Sequence, residues 1–187
     1  MNVTKTILAR LSIAHSFLVR QIRDGMGSII ASKFTNSSTE IRPIKDGDLE
    51  KILEVHKEAF GERVPTQVMR YSNKFKNIFY IYEVEGEIVG YIGYYIHLKR
   101  VGWKIVPLAT AYSVAVAEKM RGRGISSIMY KESVHQLKRN GVRAIYAYVN
   151  EQNMASMAAH KKAGFEIIEE IKNLYGQDAG YKMELRL

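Results

Sequence analysis

The sequence predicts an α/β chain of the α+β kind on a mostly antiparallel sheet, and three observations carry that prediction. Ile78–Val84, Ile88–His97 and Val106–Val116 are rich in β-branched and aromatic residues and are joined by short turns, at Glu85-Gly86-Glu87 and at the basic stretch Lys99–Lys104. That is the pattern of an antiparallel meander. Tyr112–Ser126 then reads strand, glycine turn, helix, with Gly122 and Gly124 set between Ser113–Val116 and the helical pattern that opens at Ile125. Beyond it, strand and helix patterns alternate to the end of the chain.

Residues 1–38 look unlike the rest. Ile7, Leu8, Leu11, Ala14, Leu18 and Ile22 recur at helical spacing, with Lys5, Arg10, Arg20 and Arg23 among them and no acid before Asp24. This predicts a basic amphipathic helix, followed by a Gly-, Ser- and Thr-containing stretch from Gly25 to Thr39 with the linker at Thr35–Thr39. Arg10, His15 and Arg20 break the apolar run and argue against a secretory signal, whereas an acid-poor, Arg- and Ser-containing start is similar to an organelle transit segment. Packing against the domain, targeting, and contact with a membrane surface or a partner all stay open for this segment.

The second unit, 39–187, begins with the short strand Ile41–Ile44. Asp46 and Asp48 are candidate caps for a helix over Leu49–Phe60, whose Leu49, Ile52, Leu53, Val55, Ala59 and Phe60 share a stripe and which Gly61 ends. A short helix and loop fill Gly61–Lys76. After the meander, the helix from Ile125 stops at Asn140-Gly141, Ala144–Val149 is a strand, Asn153–Ala163 a helix closed by Gly164, and Glu166–Ile171 and Tyr181–Leu187 are the last strands.

Composition narrows the chemistry. The 187 residues contain no cysteine, which removes disulfides, thiolate zinc sites and a cysteine nucleophile, and fits a reducing, cytoplasmic setting without demanding one. No apolar run is long enough to span a membrane. The net charge is +9; residues 1–38 hold five Lys or Arg and one Asp, a net +4 that leaves +5 for the remainder. Charge that diffuse, with no nucleic-acid reader motif, argues against nucleic acid and suits a polyanionic cofactor.

The glycine turn is where that cofactor belongs. Gly122 and Gly124 allow close backbone approach, and the amides from Gly122 to Ser126 are the unpaired first donors of a helix, an arrangement that attracts phosphate. Arg121 and Arg123 add charge for a pyrophosphate. A nucleotide P-loop would need Lys and then Ser or Thr after its last Gly, where this chain has Ile125 and Ser126. A dinucleotide fingerprint would need an acid at the end of the next strand, which offers Tyr148.

Arg121, Gly122, Arg123, Gly124, Ile125 and Ser126 resemble the acetyl-CoA motif of the GNAT superfamily of N-acetyltransferases, with Ser126 at a position usually Gly or Ala. Asn153, Ser156, Ala159, His160, Gly164 and Phe165 are similar to its second signature, and Ile41–Ile44 with Asp48-Leu49 to its opening strand and helix. The resemblance covers about residues 40–187. It implies a mixed, mostly antiparallel sheet of six to seven strands flanked by about four helices, acetyl-CoA as co-substrate with no metal, and transfer of the acetyl group to a primary amine of a small molecule or a peptide. The strand before the turn would splay from its neighbour, so that the amides of Val114, Ala115 and Val116 hold the pantetheine arm and polarise the thioester. Asn153 would bond the pantetheine or adenosine end as well as cap its helix. His160 stands at the position of the family's acidic Tyr, and Tyr148 and Thr110 stand where relatives carry a glutamate base. Glu83, His97 and Glu118 are the other candidate bases. The missing carboxylates keep a catalytically idle acyl-CoA-binding module in view as the alternative, and a homodimer is compatible with the sequence.

Overall fold

The computed structural model describes the backbone of residues 3–187 and the side chains of residues 15–187. Its elements are α1 (Val3–Ala31), β1 (Arg42–Pro43), α2 (Leu49–Phe60), α3 (Thr66–Lys74), β2 (Phe79–Val84), β3 (Glu87–Val101), β4 (Lys104–Val116), α4 (Ile125–Arg139), β5 (Ala144–Asn150), α5 (Met154–Lys162), β6 (Glu166–Tyr175) and β7 (Asp178–Arg186). The strands form one seven-stranded sheet in the order β1-β2-β3-β4-β5-β7-β6, with β4 and β5 parallel and every other pair antiparallel. The mixed sheet expected from the sequence is therefore present.

Alternation along β3 sorts the helices onto two faces. Met129 of α4 lies against Gly90, and Ser133 of α4 bonds Tyr94 OH at 2.7 Å. His56 of α2 meets Tyr91, and Tyr71 of α3 packs on Tyr95. The core between these layers is aromatic and β-branched, with Phe79, Tyr80, Ile81, Tyr91, Ile92 and Ile96 all buried.

Several local expectations need correction. Helix α1 does not stop before Gly25; it continues to Ala31, and its second glycine, Gly27, is a packing position rather than part of a loop. A Cβ on Gly27 would come within 2.1 Å of the Ile96 carbonyl oxygen of β3. Residues 35–38 are not a free linker either: Thr35 N donates to Asn140 Oδ1 and Ser37 N to Gln136 Oε1, which pins the segment along α4. The expected apolar positions Ile7, Leu8, Leu11 and Ala14 lie outside the described side chains, and Leu18 and Ile22 point to solvent. Neither proposed cap reaches the first turn of α2. Asp48 instead accepts from Arg42 and from Lys45 N, and Asp46 pairs with Lys76. The stretch Lys99–Lys104 is mostly strand, closed by a turn at Gly102-Trp103.

Candidate active site

The sheet opens at one place. Strands β4 and β5 pair only over Ala109–Ala111 and Ile145–Ala147, although β4 runs on to Val116 and β5 to Asn150. A register shift between Gly93 and Tyr94 leaves Tyr112 as the extra residue of β4 where the strands part. The sequence makes room for it, since a Cβ on Gly93 would meet the Tyr112 ring at 2.6 Å. Beyond the parting, the β5-facing edge of Ser113–Val116 borders a groove of about 1440 Å³ rather than a strand.

One arm of the groove ends at the glycine turn. Gly122 and Gly124 both sit at φ +76°, a left-handed conformation that side chains rarely adopt. Ile128 N is the first amide of α4 to reach a carbonyl, that of Gly124, and the amides from Gly122 to Ser127 find no acceptor among the described residues. Gly122, Gly124, Ile125 and Ser126 line this arm. Arg121 lines it as well, but its guanidinium is engaged: Nε donates to Val116 O at 3.2 Å and Nη2 to Glu58 O at 2.9 Å, which fastens the turn to β4 and α2. Arg123 does not line the groove. Asn153 does, and its side chain accepts from Ser156 N at 3.0 Å, the cap bond that begins α5.

The expected acid, His160, is only 4% exposed. Its Nδ1 donates to the Ser156 carbonyl at 2.8 Å, so Nε2 must accept from Tyr130 O–H at 2.7 Å. Burial also lowers its pKa. Both observations leave His160 neutral and proton-accepting near pH 7, which is the wrong state for a general acid. Tyr148 lines the groove, and burial followed by the Glu169 carboxylate raises its pKa, so the phenol keeps its proton and cannot serve as a base. Its main-chain oxygen accepts from Tyr175 O–H at 2.7 Å, which ties the β6–β7 hairpin to β5. Of the other candidate bases, Glu83 is held by Arg42, and neither it, His97 nor Glu118 borders the groove.

A polar chain that the sequence does not announce borders it instead. Ser113 Oγ, Tyr91 OH and His56 Nδ1 are joined at 2.9 and 2.6 Å. His56 Nε2 and Tyr112 OH are buried without a partner, and both residues line the groove. Burial lowers the pKa of His56 and raises that of Tyr91, so both are neutral at pH 7. His56 and Tyr91 lie 35 residues apart, and each reads as part of an ordinary helix or strand stripe. No local pattern distinguishes them.

The second arm passes between the α2–α3 segment, with Phe60 and Arg63–Val68, and the β6–β7 hairpin, with Leu174, Tyr175 and Asp178. The groove thus has a backbone-lined arm at the glycine turn and a side-chain-lined arm between the α2–α3 segment and the β6–β7 hairpin, and they meet at the parted strands. Residues 49–165 match the acetyltransferase (GNAT) family. The chain belongs to that family. Among its relatives, an N-alpha-acetyltransferase of Sulfurisphaera tokodaii is 26% identical over 152 residues, covering 74% of this chain and 88% of its own length. Among solved structures, Arabidopsis thaliana NAA60 in complex with acetyl-CoA superposes with a TM-score of 0.68 at 19% identity, over 79% of this chain and 98% of that one. Arabidopsis thaliana Naa50 in complex with the bisubstrate analogue CoA-Ac-MVNAL gives 0.66 at 19% identity, over 79% and 97%. This GNAT chain is accordingly an acetyl-CoA-dependent N-acetyltransferase.

Proposed function

We propose that this acetyltransferase acts on the α-amine of a peptide or protein N terminus, with the pyrophosphate of acetyl-CoA on the Gly122–Ser127 amides. The observation that carries this reading is the continuous groove through the parting of β4 and β5, open from the glycine turn to the wall formed by Phe60 and Tyr175. An extended chain can enter along the second arm and bring its first nitrogen to the thioester. The name of the Sulfurisphaera tokodaii relative and the analogue bound by Naa50 support a peptide over a small amine.

In this reading the amides of Val114, Ala115 and Val116 border the pantetheine arm and draw charge onto the thioester oxygen. The amine nitrogen attacks the carbonyl carbon; the C–N bond forms, the C–S bond breaks, and the CoA thiolate takes a proton from water in the groove, whose hydroxide is neutralised by the proton that His56 then gives back to solvent. The proton lost by the amine passes to Ser113 Oγ, while Ser113 hands its own to Tyr91 and Tyr91 hands its own to His56 Nδ1. His160 is a positioning residue that fixes Tyr130 in the wall. Asn153 begins α5 beside the cofactor, Arg121 holds the turn, and Arg123 contributes only long-range charge. Acetyl-CoA and the peptide are the partners of this site, without metal and in a reducing, cytoplasmic setting, while the outward face of α1 is available to a membrane surface or another protein.

The test is CoA release from acetyl-CoA against a panel of N-terminal peptides, polyamines, aminoglycosides and free amino acids. Saturable turnover with peptides, and mass spectrometry placing the acetyl group on the α-amine, is the expected result. Turnover confined to polyamines or aminoglycosides would overturn the peptide assignment.

A further inference from the structure

Helix α1 is mounted on the sheet by its small and polar side. Asp24 is fully buried and accepts from Tyr71 O–H at 3.1 Å and from Arg70 at 3.4 Å, Gly27 abuts β3, and Ala31 is buried. At about 100° per residue, Leu18, Ile22, Met26 and Ile29 fall in one arc on the opposite side. They are exposed by 58%, 55%, 49% and 63%. A surface helix ordinarily turns its large apolar residues inward; here residues 15–20 are exposed all round, Phe17 and Val19 included, and from Ile22 on the large apolar residues Ile22, Met26 and Ile29 face away from the buried side.

Charge says what covers that stripe. Asp24 is the single acid of residues 1–38 and is buried between Arg23 and Arg70, so the surface of α1 shows no carboxylate among the described residues; its cations are Arg20 and the half-exposed Arg23, which is paired with Asp24, and Lys33 follows just past its end. A second element has the same chemistry. Past the crossing at Ile96, β3 runs out to the turn at Gly102-Trp103, where Trp103 is 95% exposed between exposed Val101 and Ile105. Lys99, Arg100 and Lys104 surround it, the Arg100 guanidinium lies 5.8 Å from the indole centre, and no acid occurs from Ile88 to Ala117. A second copy of the chain would bring these cations against themselves. A nucleic acid would satisfy the cations and leave the apolar stripe in water. Anionic lipid satisfies both, because headgroup phosphates pair with Arg and Lys while apolar side chains and an indole enter the acyl boundary.

We propose that the outward face of α1 and the β3–β4 turn dock this enzyme on an anionic bilayer surface. The helix lies along the interface and does not cross it; among the described residues no helix is long and apolar enough to span a membrane. None of the docking residues lines the groove, so turnover on a soluble peptide does not depend on docking, and the two readings fail separately.

The experiment is cosedimentation of the full chain with vesicles of phosphatidylcholine alone and with about a third phosphatidylglycerol, at low and high salt, alongside light scattering without vesicles. Expected are at least tenfold more protein on the anionic vesicles, release by salt, and a monomer in solution. The double variant Ile22→Asp with Ile29→Asp should lower anionic-vesicle binding at least tenfold while leaving acetyl-CoA affinity and peptide turnover unchanged. Trp103→Ala should lower it severalfold. Equal binding to both vesicle types, or binding untouched by the double variant, overturns the proposal. So does a dimer that the double variant dissociates, which would make the stripe an interface between copies.

Discussion

At the glycine turn the groove is walled by main chain, and at the other end by the side chains of Phe60, Tyr148 and Tyr175. The arm proposed for the cofactor is built of two residues at φ +76° and a run of unpaired amides, all within one short stretch from Gly122 to Ser127. The acceptor arm and the proton chain need residues from α2, β3, β4, β5 and the β6–β7 hairpin to converge. A site made of backbone geometry can be strict about glycine and indifferent to most other identities. A site made of converging side chains is strict about identities that no neighbouring residue reveals.

The sharpest way to break this contrast is at Gly124. Valine there would force a β-branched residue into a left-handed conformation and place methyl groups where the ligand approaches. Acetyl-CoA affinity should fall by more than about a hundredfold in isothermal titration; retained affinity would show that the amides of the turn are not the anchor.

The proton chain comes next. Tyr91→Phe and His56→Gln should each cut kcat by about tenfold or more, the lower range for proton-transfer groups, with acetyl-CoA affinity unchanged. The direction with pH follows from burial, which holds His56 below its ordinary pKa of 6.5. A base must be neutral, so wild-type kcat should fall as the pH drops through that depressed value, and the Phe variant should lose this limb. Two variants with wild-type turnover and profile would return the chain to a purely structural role.

His160→Phe separates positioning from acid catalysis. It leaves the buried Tyr130 hydroxyl unpaired, a cost of about 1–3 kcal/mol in unfolding free energy, and should change kcat by less than about tenfold. A loss nearer a hundredfold with full stability would make the imidazole the acid after all. The smallest effect is expected at Tyr175→Phe, which removes the hydrogen bond to Tyr148 O and should raise the peptide KM severalfold with little change in kcat.

Much of this architecture could be read from the chain. The meander, the helix over Leu49–Phe60, the stop at Asn140-Gly141 and the turn at Gly122–Gly124 are local: period-2 or period-3.6 patterns and glycines at forced φ values write themselves into consecutive residues. Asn153 could be read too, because a cap acts on the amide three residues away, here Ser156 N.

The tertiary structure decided what depends on distant partners. It showed that α1 runs on through Gly25 to Ala31 with Gly27 in contact with β3, that Arg121 is a fastener to Val116 and Glu58, and that His160 accepts a hydrogen bond from Tyr130 instead of donating one. It brought His56 onto Tyr91, and it turned Ile22, Met26 and Ile29 outward although their spacing alone fits inward packing equally well. Helical periodicity fixes that a stripe exists, but only the burial of Asp24 and Gly27 against α3 and β3 fixes which way it faces.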